Sequence, residues 1–324
     1  MPLGNAGRLS PLAGASAGLA PLAGWSDAPF RLLCFEYGAD FALTEMVSAD
    51  GLARDSGKTA ALLARLPGER TLGAQIFGSD PSVMAEAAGM AEEAGPDFID
   101  LNFGCPVKKV VRRNGGAAVM RDLDLLGAIC SRVVESVKIP VTAKIRSGWS
   151  REEENYIEAG LAAQEAGVSA VTLHPRPRSL GFGGSADWTQ IARLRECLRV
   201  QVIANGDVLS AADHAEITRV TGCGTVMIGR GAMGRPWIFE QIARSRHGEE
   251  IREVKPRERI EAIRSLLRME MRRKGERLAV LEMRKQYRWF LRSLPGARDY
   301  RSRLVRAPGT GDVLEILDEM EQEL

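Results

Sequence analysis

Short apolar runs recur along the chain as far as residue 228, and between several of them apolar positions return every three or four residues. The runs are Gly18–Leu22, Phe41–Met46, Leu72–Phe77, Phe98–Phe103, Val141–Ile145, Ala170–His174, Val200–Ala204 and Thr225–Ile228. Helical spacing fills Pro81–Ala94, Leu123–Val137, Glu152–Ala166 and Ala211–Thr221. Apolar strands alternating with helices predict parallel βα units buried on both faces. Eight such units predict a closed (β/α)8 TIM barrel rather than an open sheet. After Arg235 no further strand is predicted. Lys255–Lys274, Leu278–Leu294 and Asp312–Glu323 read as helices, broken at Gly275 and through the Pro/Gly/Arg stretch Pro295–Gly311. The expected organisation is a catalytic barrel over residues 1–247 and a small all-α domain over residues 248–324, joined near His247–Pro256. The 324 residues accommodate that arrangement, since such a barrel takes ~250.

Barrel enzymes place their chemistry at the C-terminal ends of the strands. In this sequence nearly every predicted strand closes on a polar or reactive group. These are Pro21-Leu22-Ala23, Glu45-Met46, Gln75, Asn102-Phe-Gly-Cys105-Pro106, Lys144-Ile-Arg146, His174-Pro-Arg176, Asn205-Gly206-Asp207 and Gly229-Arg230-Gly231. Their shared position at one rim is more telling than any one of them.

Gly229-Arg-Gly-Ala-Met-Gly234 matches the G-x-G-x-x-G dinucleotide pattern, but it follows the last strand and no βαβ unit continues from it. In a barrel the loops after strands 7 and 8 form a phosphate site instead, so this segment and Asn205-Gly-Asp207 are read as a phosphate cradle in preference to simple turn glycines. A free cysteine is most often a small buried apolar residue. Cys105, flanked by Gly104 and Pro106 at the active rim, is in addition placed to donate a proton or act as a nucleophile. Lys144 ends an apolar strand, so its cation needs an anionic or electron-rich partner. His174 and Arg176, two residues apart on an extended segment, share a face.

Composition narrows the setting. The five cysteines contain no C-x-x-C pair and there are three histidines, so no metal site is expected and free thiols suit a cytoplasmic location. Gly and Pro interrupt the small-residue stretch Ala13–Ala23, so neither a signal peptide nor a membrane span is expected. The net charge of +2 is unevenly spread. Ala243–Arg306 holds 20 Lys and Arg against 9 Asp and Glu, whereas residues 307–324 hold 6 acidic residues and no Lys or Arg. Arg264, Arg268 and Arg272 recur every fourth residue, as do Arg284, Arg288 and Arg292, and each set forms one helical stripe. Such stripes suit phosphate recognition; a solvated face is the other reading of the same pattern. Tyr287, Trp289 and Phe290 interleave the second stripe as core or stacking residues.

Taken together, these stretches resemble the tRNA-dihydrouridine synthase family, and most closely its bacterial branch with a helical tail. The matching segments are Ala20-Pro-Leu-Ala-Gly-Trp-Ser-Asp-Ala-Pro-Phe-Arg31, Thr44-Glu-Met46, Gln75-Ile, Asp100-Leu-Asn-Phe-Gly-Cys-Pro-Val-Lys-Lys109, Lys144-Ile-Arg-Ser-Gly-Trp149, His174-Pro-Arg176, Ile203-Ala-Asn-Gly-Asp207 and Ile228-Gly-Arg-Gly-Ala-Met-Gly-Arg-Pro-Trp237. The likeness is strong over about residues 18 to 240 and weaker through Arg284-Lys285 and Trp289-Phe290.

The resemblance implies FMN across the barrel mouth, with Pro21, Leu22 and Ala23 along one edge, Gln75 and Lys144 on the ring and His174 nearby. It implies Asn205, Gly206, Asp207, Gly229 and Arg230 at the phosphate end, and Asn102 and Arg176 on a uracil. NADPH would reduce the flavin, hydride would pass to uracil C6, and the Cys105 thiol would protonate C5. Arg284 and Arg288 would meet tRNA phosphates, and the protein would act as a monomer. The sequence departs from the family at Leu22, where methionine is usual, at Pro175 and Pro177 around Arg176, where Gly and Thr are usual, and at Asn114-Gly-Gly-Ala-Ala after the cysteine. The competing functions are a small-molecule pyrimidine oxidoreductase and a non-catalytic RNA-binding protein on the same barrel.

Overall fold

A computed structural model describes residues 10–54 and 57–324; the expectations for residues 1–9 lie outside the described residues. Its strands are β1 (Ala17–Leu19), β2 (Phe41–Leu43), β3 (Val47–Ser48), β4 (Thr71–Phe77), β5 (Phe98–Phe103), β6 (Val141–Arg146), β7 (Ala170–His174), β8 (Gln201–Asn205) and β9 (Val226–Ile228). All pairings are parallel. Because β2 pairs with β4 and β1 with β9, the sheet closes into an eight-stranded barrel, with β3 extending the line of β2 along the far end of β4.

Two predicted strands end three residues before the apolar runs that announced them do. β1 stops at Leu19, two residues before Pro21, which has no N–H for a ladder. Phe41–Met46 is interrupted at Thr44–Met46. There the Thr44 hydroxyl accepts from the Gln75 amide at 3.0 Å and donates to the Glu45 carbonyl at 2.9 Å. The break leaves Met46 lining the barrel mouth.

Alternation along the strands separates two environments. Leu72, Ala74, Ile99, Leu101, Ala143, Ile145, Val171, Leu173, Val202 and Ala204 belong to the main core shared with the surrounding helices. Phe41, Leu43, Phe98, Ala170, Ile203 and Met227 form a separate cluster inside the barrel. Glycines make room for its rings: a Cβ on Gly18 would come within 2.4 Å of Phe41, and one on Gly73 within 2.3 Å of Phe98. Above that apolar floor the inward row turns polar, with Gln75, Asp100 and Thr142 and then Asn102, Lys144 and Asn205.

Local signals set the helices. Asp80 accepts from the Ser82 and Val83 amides at 2.8 and 3.0 Å, Pro81 occupies the first turn, and the helix runs Pro81–Glu93. Ser210 caps Ala211–Thr221, which ends at Gly222 in the left-handed conformation. The expected Glu152–Ala166 helix begins only at Tyr156, because Glu154 is drawn into a bridge with Gly148.

The tail holds helices Pro256–Lys274, Glu276–Phe290, Ala297–Arg306 and Thr310–Gln322. The expected break at Pro295–Gly311 therefore contains a helix. Pro295-Gly296 and Pro308-Gly309 punctuate its two ends, while Tyr300 and Leu304, four residues apart, bury its apolar side. No helix among the described residues is long and apolar enough to cross a membrane.

The tail docks closely on the barrel. Gly234 has φ +63°, and a Cβ there would come within 2.4 Å of the Trp289 backbone. Trp25 and Trp289 meet edge to face at 5.9 Å, as do Trp237 and Phe290 at 6.1 Å. Beside them Lys274 Nζ lies 2.8 Å from Asp27 and 3.0 Å from Glu270, both buried. Burial and the Asp27 carboxylate push the Glu270 pKa up, against the charge of Lys274. Gly234→Ala is expected to destabilise the protein by ~2–3 kcal/mol through its positive φ and this close approach. Denaturant unfolding checks this; a midpoint equal to that of the unsubstituted protein contradicts the docking geometry.

Candidate active site

A cavity of about 450 Å³ opens at the C-terminal ends of the strands, within the range of small-molecule and cofactor sites. It gathers Pro21, Leu22, Ala23, Gln75, Asn102, Cys105, Lys144, His174, Asn205, Gly206, Asp207, Gly229 and Arg230. Arg176, Arg284 and Arg288 are not among its lining residues.

A hydrogen-bonded chain rises through the barrel to the thiol. The buried Asp100 carboxylate accepts from the Thr142 hydroxyl at 2.6 Å and from Gln75 Nε2 at 2.7 Å. That fixes the Gln75 amide, whose Oε1 accepts from Asn102 Nδ2 at 2.7 Å. Asn102 Oδ1 then accepts from the Gly104 and Cys105 amides at 3.1 and 2.9 Å. Asn102 thus holds the cysteine loop, and its second Nδ2 hydrogen rests on Met46 Sδ at 3.9 Å, a weak acceptor. Gly116 supports the loop from below, since a Cβ there would come within 2.8 Å of the Cys105 carbonyl oxygen. The Cys105 side chain, 8% exposed, lines the cavity. Burial pushes its thiol pKa up, against the opposing effects of the Val107 amide and Arg146, so the group is a protonated acid near neutrality.

Across the mouth Lys144 Nζ donates to Asn205 Oδ1 at 2.9 Å, and Asn205 Nδ2 donates to the Met227 carbonyl at 2.7 Å. Burial, followed by the nearby Arg146 cation, lowers Lys144 to about 8. Burial, then Lys144, Arg146, Arg176 and Arg230, holds His174 well below the ordinary imidazole value, so it is neutral.

Arg176 is buried and serves the loops. Its guanidinium forks onto Asp207 at 2.8 and 2.5 Å and donates to the Gly183 and Gly184 carbonyls. Its guanidinium donors are thus taken up by Asp207 and the Gly183–Gly184 loop, and the side chain does not line the cavity. Asp207 also accepts from Arg230 at 2.8 Å. Although burial acts upward, bonding to Arg176, the Ala186 amide and the charge of Arg230 leaves its carboxyl below the ordinary value. An anionic Asp207 positions Arg230 at the end of the cavity formed by the loops after β8 and β9.

The two loops interlock there. Gly206 has φ +128°, a Cβ on Gly231 would come within 2.2 Å of the Val208 carbonyl oxygen, and Gly229 lines the cavity opposite Leu22. Backbone loops this close, with an arginine beside them, fit a phosphorylated ligand, and the adjoining apolar edge of Ala20–Ala23 fits a flat ring.

Several lining residues carried no distinct role in the sequence. Arg146 joins loops: Nε donates to the Gly104 carbonyl at 2.7 Å and Nη1 to the Gly181 carbonyl at 3.1 Å. Phe182, 58% exposed, stands 4.9 Å from the Arg230 guanidinium at the mouth; a lone aromatic between glycines was its only signal. Trp25 and Trp289 complete the wall, so the tail contributes directly to the pocket.

The two arginine stripes separate. Arg264 is largely buried, donating to Glu321 at 2.6 Å and to Asp318 at 2.5 Å, and Arg268 pairs with Glu261. The acidic last helix thus takes up Arg264, one of the three arginines of the first stripe. Arg284 is half-buried with its Nε unpartnered, and the exposed Arg288 lies 5.9 Å from the Trp289 ring centre.

The fold and this cavity define a barrel enzyme with its chemistry at the strand ends. The family model described as dihydrouridine synthase matches residues 18–323. The tRNA-dihydrouridine synthase B of Pseudomonas aeruginosa is 37% identical over 297 residues, covering 90% of this chain and 88% of its own. The tRNA-dihydrouridine synthase B of Escherichia coli K12 is 36% identical over 309 residues, with 92% and 94% covered. The structure of histamine dehydrogenase from Rhizobium sp. 4-9 superposes with TM-score 0.52 at 14% identity, covering 79% of this chain and 49% of that one, a likeness of fold alone. The chain belongs to the dihydrouridine synthase family and is a flavin-dependent oxidoreductase.

The raised thiol pKa predicts slow alkylation of Cys105 by iodoacetamide at pH 7 relative to the exposed Cys197, with the rate climbing as pH passes 9. Peptide mass spectrometry against pH reads both sites. Fast, pH-independent modification of Cys105 from pH 6 upward would mark a resident thiolate and contradict the acid assignment.

Proposed function

We propose that this enzyme reduces the C5–C6 double bond of specific uridines in tRNA to dihydrouridine, using FMN at the barrel mouth and NADPH as reductant. The observation that carries the reading is the Cys105 thiol on the wall of the cavity into which the polar strand ends converge. Pro21, Leu22 and Ala23 would edge the flavin, Gln75, Lys144 and His174 would face its ring system, and Asn205, Gly206, Asp207, Gly229 and Arg230 would hold its phosphate end. When bound, the flavin supplies hydride to uracil C6.

The chain's own residues do the rest. Cys105 gives its proton to C5, a role that suits a thiol kept protonated near neutrality. Asn102 fixes that thiol through the loop amides, and the Nδ2 hydrogen that rests on Met46 Sδ is the one a base carbonyl would take over. Lys144, retaining a proton up to about pH 8, places positive charge where negative charge accumulates on an electron-rich ring. The target uridine must leave its stack to enter, at a cost of a few kcal/mol. Contacts to tRNA phosphates from the helical segment 248–324, Arg284 and Arg288 among them, would offset that cost. We place the working enzyme in the cytoplasm as a monomer.

The test incubates unmodified tRNA with the flavin-loaded enzyme and NADPH, then maps mass gain by nucleoside. Dihydrouridine at defined positions is expected, with free uracil and uridine monophosphate left unreduced; equal reduction of the free pyrimidines would overturn the tRNA assignment. Asn102→Ala should retain the flavin and lose turnover about 100-fold through misplacement of the thiol. Arg284→Glu/Arg288→Glu should weaken tRNA affinity about tenfold and lessen its salt dependence, with bound flavin still oxidising NADPH; wild-type affinity and slope would remove these arginines from the interface.

A further inference from the structure

The residues just after Cys105 form a second strongly basic surface, distinct from the tail. Lys108–Val111 is a single helical turn followed by Arg112 and Arg113. Lys108, Lys109, Arg112 and Arg113 are all exposed, whereas Val110 between them is buried. Residues i, i+1, i+4 and i+5 of a helical stretch share one side, so the four cations point outward together. None of the four side chains makes an ion pair or hydrogen bond among the described residues, in contrast to Arg264 and Arg268.

The turn is fixed to the thiol it follows. The Ala117 amide donates to the Cys105 carbonyl at 3.1 Å, the Val110 amide to the Val107 carbonyl at 3.0 Å, and Ser79 Oγ to the Arg113 carbonyl at 2.9 Å. Pro106 and Val107 line the cavity, and Val107 is 51% exposed at its lip. A nucleotide inserted into the cavity brings its flanking phosphates to this lip. Uncompensated cations on a rigid turn are matched to those anions.

We infer that Lys108, Lys109, Arg112 and Arg113 form an RNA phosphate contact at the rim, which registers the extruded uridine against Cys105. This rests on the tRNA reading above and assigns part of its grip to the barrel. An acidic protein is the other polyanion such a surface could meet. RNA is favoured because the patch adjoins the lip that the substrate nucleotide must cross.

The test uses the flavin-loaded full chain carrying Lys108→Glu, Lys109→Glu, Arg112→Glu and Arg113→Glu, and a second variant with Gln at the same four positions. Filter binding to unmodified tRNA is measured at several salt concentrations. The Glu variant is expected to lose about 100-fold or more in affinity, the salt slope falling by about 2 to 3, with the Gln variant intermediate. In both, flavin retention and NADPH oxidation should match wild type, which shows that the barrel is intact. Bound tRNA should slow Cys105 alkylation in the wild type and no longer do so in the Glu variant at the same tRNA concentration. Wild-type affinity and slope in the Gln variant would overturn the inference even if the Glu variant fails to fold. Absence of dihydrouridine in the wild-type control would instead sink the functional reading on which it rests.

Discussion

A carboxylate sealed within the barrel sets the position of a thiol at its mouth. Asp100 is buried, so its oxygens must be satisfied internally, and Thr142 and Gln75 satisfy them. Because Asp100 can only accept when ionised, the Gln75 amide must turn its nitrogen inward and its oxygen toward Asn102. Asn102 must then turn its oxygen to the cysteine loop. One buried charge thereby fixes the direction of each bond up to Cys105. Burial raises the Asp100 pKa, while the bonds from Gln75 and Thr142 and the charge of Lys144 oppose that rise.

The opposite side of the mouth is arranged by charges of both signs. Asp207, just after β8, ties together the ends of β7 and β9 by binding Arg176 and Arg230. Arg146 ties the cysteine loop to the glycine-rich loop that carries Phe182. The tail closes the remaining wall with Trp289 and is held there by backbone contact at Gly234 and by the Asp27–Lys274–Glu270 cluster. A segment whose composition suggested an RNA-binding appendage or a solvated face is therefore also part of the cavity wall.

The sequence carried the barrel and most of the mouth, because strand alternation is a two-residue code and the barrel's axis collects every inward strand end at one rim. Lys144, Asn205 and Cys105 could be singled out on that logic. What it could not reveal depends on contacts between distant segments. Arg264 resembled a phosphate ligand until Asp318 and Glu321, more than fifty residues away, were found against it. Arg176 shares a strand-end position with genuine pocket residues, but its guanidinium turns onto Asp207. The Ala297–Arg306 helix was concealed by the Pro and Gly residues that delimit it. The Thr44 break, which frees Met46 for the cavity, follows from a side-chain bond to the next strand that no local propensity encodes.

The most direct measurement of the central claim is a single turnover. Anaerobic holoenzyme with its flavin already reduced is mixed with unmodified tRNA, and flavin reoxidation and dihydrouridine are followed together. The account predicts stoichiometric formation of both in the wild type, whereas Cys105→Ala, with flavin and tRNA still bound, should leave the flavin reduced and the tRNA unmodified on the same timescale. Equal rates of reoxidation and product formation in the two proteins would contradict a proton-donating role for the thiol.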